Sequence, residues 1–432
     1  VASPVLCLII TALLFFTSFQ AHADEPLSPD SLVLHQLQET VHKQQLQLQQ
    51  QSERIKAQSE LLQNLQKQIN SLQKPLSPVP SGAELTVQSP SIIASGNDRT
   101  KLSISGQLNR AINFTNDGSS TQAYHIDNDA SNSRVRFVGS SKISEDLTVS
   151  TRIEVAVAPD ESSVVSQTNQ APGDYFNQRW AEISLTSETY GKLSIGKGDT
   201  ASNTTAEVDL SKTDLVQYAG IADISGGMFF REKDDIRRLT SLKVSDSFKS
   251  GDGLSRQSRL RFDTPTRYGF RLAGSLVTNQ QSDIALFYGT EKYGLKGAGA
   301  FAVSNPKQAG ANLLYDGSFS LLHTSTGLNL TVSGAALDKI ATKDRTNLYV
   351  KIGWLTNLTS MGYTAVGVDY TRSENAAATG DVGNSVGTAV VQAFEKFAAE
   401  IYFQYRIYSL DRAAGIKVAD INVGTFGARV KF

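Results

Sequence analysis

Arginines two residues apart are the most chemically suggestive feature of this chain. Arg134 and Arg136 share one face of an alternating stretch, and Arg259 and Arg261 share another. Arg152 and Arg271 fall on the polar side of their own stretches, as do Lys351, Arg406 and Arg429. Acids of the same parity are fewer: Glu154, Asp263, Asp369 and Glu400. A guanidinium keeps its proton at any physiological pH, so such a row does no general acid–base work. It offers a fixed positive wall that attracts anions. Nucleophilic or metal chemistry has little to draw on. The sole cysteine is Cys7, and beyond residue 100 the histidines are His125 and His323, in no recognisable nucleophile setting. No cofactor and no metal is expected.

Strands must carry these side chains, and the last thirteen residues show the pattern most clearly. From Asp420 to Phe432, Phe426, Ala428, Val430 and Phe432 take one face and Thr425, Gly427, Arg429 and Lys431 the other. A strand ending on its final aromatic ring resembles the closing strand of an outer-membrane barrel. From Lys101 onward similar runs recur, as in Leu147, Val149, Thr151, Ile153 and Val155. Short turns fall at 144–146, 188–191, 264–269, 291–294, 325–327, 357–362 and 395–398. Longer loops fall at 115–132, 159–173, 199–254, 279–282, 305–311, 338–345, 375–384 and 411–419. Seven short turns and eight loops separate sixteen strands. Short turns on one rim and long loops on the other predict an all-β, 16-stranded antiparallel transmembrane β-barrel over residues 100–432.

The N-terminal quarter reads differently. Residues 1–23 are uncharged, run apolar from Val5 to Phe19 and end in Ala21-His22-Ala23, the pattern of a secretory signal peptide. The usual basic start is missing, which points to an origin upstream or at an unusual start codon. Residues 32–73 follow heptads with Leu34, Val41, Leu48, Ile55, Leu62 and Ile69 at position a, three Gln among the d positions, and no break. They predict an α-helical coiled coil roughly 60 Å long. Residues 74–99 carry four prolines and form a linker. The formal net charge of −1 argues against a nucleic-acid partner. No run of eighteen apolar residues marks a membrane helix.

The barrel region resembles the sixteen-stranded trimeric porins of Gram-negative bacteria. The likeness rests on Gly106 to Arg110, Ser133 to Gly139, Tyr190 to Lys197, Arg261 to Pro265 and Phe426 to Phe432, in that order. The coiled coil looks more like the DcaP-type porins. The resemblance implies that the long loop at about 199–254 folds inward and narrows the pore. It places Arg134 and Lys197 among the constriction's basic residues, and Glu207, Asp209, Asp214 and Asp223 as acids of the inward loop. It also implies a homotrimer in outer-membrane lipid, passing small hydrophilic solutes, with Phe432 as the barrel-insertion signal. The coil would then lie in the periplasm, with reach for peptidoglycan or a periplasmic partner.

The basic wall favours a mild anion preference or, alternatively, a channel selective for small anions such as dicarboxylates. An outer-membrane phospholipase would need a Ser–His pair that two isolated histidines do not supply, so an enzyme is not expected. Two arginines break the pattern. Arg110 shares parity with Leu108, Ile112 and Phe114, and Arg179 with Ala181, Ile183 and Leu185. An arginine facing lipid at mid-membrane costs about 2–4 kcal/mol. Either a bulge turns each inward, or another subunit covers it.

Overall fold

The computed structural model describes residues 92–94, 100–173 and 176–432, with Gln49, Glu53 and Lys56 as isolated helical residues. The signal-type segment, the coiled-coil seam from Leu34 to Ile69 and most of the linker lie outside the described residues.

Among the described residues twenty strands follow in order. They are β1 (Ile92–Ala94), β2 (Thr100–Asn116), β3 (Thr121–Asp127), β4 (Arg134–Lys142), β5 (Leu147–Val157), β6 (Phe176–Ser187) and β7 (Gly191–Asp199). Then come β8 (Phe229–Arg231), β9 (Leu239–Lys243), β10 (Arg256–Asp263), β11 (Phe270–Val277), β12 (Ser282–Lys292) and β13 (Leu295–Asn305). The rest are β14 (Ala311–His323), β15 (Leu328–Lys339), β16 (Arg345–Thr359), β17 (Gly362–Glu374), β18 (Val382–Phe394), β19 (Ala399–Asp411) and β20 (Ile421–Lys431).

Antiparallel neighbours run around the wall, and β20 returns to β2 from Gln107↔Lys431 to Asn116↔Asn422, closing the ring. β3 and β4 share one place in the wall, the first beside the upper part of β2 and the second beside the lower. The hairpin β8–β9 lies off the ring, and β1 adds three pairs to the start of β2. The remaining strands give a closed barrel of sixteen positions. One expectation is corrected here. Residues 115–132 are not a loop but a tight hairpin followed by β3, because Tyr124 and Ile126 continue the alternation and bury their side chains inward.

The side chains explain why the ring needs a membrane. Leu108, Ile153, Ile183, Ile195, Phe301, Ile352 and Phe426 each expose half or more of their surface on the outside. The intervening inward residues are mostly polar or small. A closed ring also leaves no backbone group without a partner in hydrocarbon. The turns at 144–146, 188–191, 264–269, 291–294, 325–327, 357–362 and 395–398 meet at one rim, which in outer-membrane barrels is the periplasmic one. Phe432 lies at that rim, where its amide donates to Gly106 O (3.1 Å) and its carbonyl accepts from Gly106 N (2.8 Å).

Residues 200–255 enter the lumen and line much of its wall. Ser318 and Ser320 hydroxyls accept from the amides of Val208 and Leu210 at 2.8 and 3.0 Å. Gln217 Nε2 donates to Gly367 O and Gly387 O at 3.3 and 3.2 Å, and Tyr408 donates to Ile221 O at 2.7 Å. Beneath this loop Leu215, Val216, Ile221, Ile224, Met228, Phe230 and Phe248 pack on inward Tyr349, Ala365, Ala389, Val391 and Tyr408. The loop therefore has its own dry core inside the barrel.

Candidate functional site

Glu154 organises the basic wall. It points inward from β5 and is fully buried, with Arg152 at 2.6 Å, Arg136 at 2.7 Å, Arg179 at 2.8 Å and Arg134 at 3.7 Å. Four guanidinium groups on one carboxylate leave three positive charges without a countercharge among themselves. Arg152 also stacks on Trp180, 3.6 Å from the ring centroid.

Arg179 reaches this group through a β-bulge. Trp180 pairs with Glu154 and Gln178 with Val155, so Arg179 is the extra residue of β6. That resolves its misfit parity. Arg110 is different. It keeps its outward parity, donates to Pro159 O at 2.6 Å and lies 3.9 Å from Asp127.

Further along the wall three arginines are held by two carboxylates. Arg259 Nη2 lies 2.5 Å from Glu182, Arg261 takes both oxygens of Asp263 at 2.8 Å, and Arg271 bonds to Asp263 while lying 4.0 Å above the Phe287 ring. Lys197 is a correction. It pairs with Ala181 and Ser258 and shares the outward parity of Leu193 and Ile195, so it faces away from the lumen. The inward position beside it is Gly198, which lies against Arg259 and Trp180.

Across from the wall, Glu207 and Asp223 of the inward loop border one cavity with Asp129, Tyr218, Asp252, Arg134, Arg179 and Arg256. Removal from bulk water, then the neighbouring carboxylates Asp252 and Asp223, push Glu207 well above the usual carboxylate range. Removal from water and Asp129 push Asp223 to about 7, and Asp252 rises to about 7 for the same first reason. Asp223 also accepts from Tyr218.

Asp209 is a second correction. Its carboxylate is buried and pairs with buried Lys351 on β16. Asp214 is exposed on the loop but does not border this cavity. Asp129, Asp252 and Arg256 escaped sequence reasoning. Arg256 follows Ser255, whose φ of 58° breaks the alternation just ahead of it.

Arg134, Arg179 and Arg256, the last paired with Asp199 at 3.2 Å, share this cavity with the acids Asp129, Glu207, Asp223 and Asp252. Near neutral pH Asp223 and Asp252 are partly protonated, which tips the balance toward the arginines.

The sequence profile of the family described as Gram-negative porin matches residues 83–430. OmpT, an outer membrane protein of Vibrio cholerae, is similar in structure with a TM-score of 0.52 and 15% identity, over 79% of this chain and 99% of that one. The anion-selective porin from Comamonas acidovorans gives 0.52 and 11%, over 77% and 100%. The outer membrane channel DcaP of Acinetobacter baumannii gives 0.51 and 10%, over 77% and 98%. At such identities the likeness is one of fold. A search of curated proteins finds no match to the sequence.

Proposed function

From the premise that the chain belongs to the Gram-negative porin family and forms a water-filled outer-membrane channel, we propose that this channel prefers anions. Family and fold point to a channel for small hydrophilic solutes rather than to an enzyme. The observation carrying the preference is the four arginines gathered on Glu154. Rings of like charge at a narrow point bias which ions enter. A reversal potential in a salt gradient across a planar bilayer tests it: the anion side is expected, and a potential on the cation side would overturn it.

The same uncompensated charges favour a second reading, selectivity for small dianions such as dicarboxylates. Dicarboxylate added to chloride solutions should then lower chloride current by occupying the cluster. Current that falls no more than conductivity predicts leaves only the general preference.

Assembly as a homotrimer is supported by Arg110, an outward arginine in the span between Phe114 and Phe432 that a neighbouring copy would shield from lipid. The heptads of residues 32–73 would hold the same copies together in the periplasm, within reach of peptidoglycan or another partner. Cross-linking of the intact chain, compared with a chain lacking residues 32–73, reads both claims. A monomer in both cases would sink them.

A further inference from the structure

We propose that the six residues Asn128–Ser133 form a second jamb of the constriction, braced against the inward loop, and that Asp129 on this jamb helps set the channel's charge preference. The proposal rests on the channel reading above.

The pairing requires the excursion. Arg110 pairs with Asp127 and Gln107 with Arg134, so Leu108 and Asn109 of β2 stand opposite six residues rather than two. Four surplus residues cannot remain in the wall, and they turn into the lumen. There they are held from several directions. Asn128 Nδ2 donates to Leu215 O of the inward loop at 3.1 Å and to Tyr402 Oη of β19 at 3.0 Å. Gln107 Nε2 donates to the carbonyls of Ser131 and Asn132, each at 2.8 Å, and Arg429 Nη1 to Ser131 Oγ at 2.8 Å. Ser133 Oγ donates to Asp127 at 2.5 Å. With Asn128, Asn132 and Ser133 at 3% exposure or less, this is a fixed projection of the wall.

Asp129 stands at its tip and borders the cavity that holds Arg134 and Arg179. Its carboxylate accepts from Ser163 Oγ at 2.6 Å and Asn132 Nδ2 at 3.5 Å, both neutral donors. Among the described residues it has no ion pair, so its charge is not cancelled at contact range. Nearby Glu161 feels that charge: burial, then Asp129 and Asp127, push it to about 7. An alternating wall has no position from which to hold an acid there; the excursion supplies one.

Two variants of the full-length protein test this in planar bilayers. Replacing residues 128–133 by two residues, to match Leu108 and Asn109, should raise single-channel conductance about 1.5-fold or more, because one jamb is gone. Asp129→Asn should raise the chloride-to-potassium permeability ratio about 1.5-fold. Open channels with parental conductance in the first variant and a parental ratio in the second would overturn the proposal. If the shortened chain does not assemble, the Asp129→Asn ratio decides. A parent that reverses on the cation side sinks the anion preference alone, since the conductance comparison is independent of sign. A parent that opens no channels sinks both.

Discussion

Lys351 on the barrel wall and Asp209 on the inward loop form an ion pair in which the lysine side chain has no solvent exposure and the carboxylate has 3%. The same ammonium donates to Thr213 Oγ1 and Gln217 O, each at 2.9 Å. One wall residue thus ties down three points of a single loop segment. Lys351→Met strands Asp209 as a buried lone charge, a loss of about 3–5 kcal/mol. The expected result is a lower unfolding temperature in detergent and noisier open-channel current. Adding Asp209→Leu should restore most of the stability. Unchanged melting and unchanged noise in Lys351→Met would show that the loop is held elsewhere.

Charge preference should depend on pH. Asp223 and Asp252 are pushed up to about 7, so both are charged above that range and neutral below it. The arginines do not titrate in this interval. Anion preference should therefore strengthen as pH falls from about 8 to about 5, read from reversal potentials in a fixed salt gradient. A preference that weakens toward acid would contradict the assignment of these acids to the lumen.

Deleting Arg179 joins Gln178 to Trp180, which already pair with Val155 and Glu154, so the β5–β6 ladder becomes regular without shifting any other pair. The barrel should still assemble, and the chloride-to-potassium permeability ratio should fall about twofold. Arg179→Gln keeps the bulge and should give the same loss. A parental ratio in both variants would remove Arg179 from the solutes' path.

Removing Phe432 deletes two backbone hydrogen bonds to Gly106, each about 0.5–1.5 kcal/mol. It also uncovers Gly106, where an added Cβ would lie 2.5 Å from Phe432 Cζ and 2.7 Å from Arg134 O. Folded protein recovered from the outer membrane should drop several-fold for the deletion, and Gly106→Leu should share the defect. Full recovery of both would deny the seam a role in insertion.

Strand number, rim and face were legible because they follow from a period of two and from turn spacing. Arg134, Arg136 and Arg152 lie inward as alternation demands, all within reach of Glu154. What escaped were interruptions of that period. The bulge at Arg179 and the excursion after Asp127 each insert residues without changing the apolar stripe on either side. Lys197 holds the family position of a constriction base but has the parity of Ile195, and parity decides which way it faces. Asp209 was misplaced because its partner, Lys351, lies 142 positions away and no local pattern joins them.

The dry underside of the inward loop limits how this channel can change. Tyr349, Ala365, Ala389 and Val391 face the lumen yet never meet water, because Leu215, Ile224 and Phe248 are part of the layer that shields them. Trimming the loop would not yield a wider aqueous pore but a barrel wetted on greasy inner walls. Calibre and stability are therefore inherited together. A lineage seeking new solutes has to repaint the lumen one side chain at a time, leaving its upholstery in place.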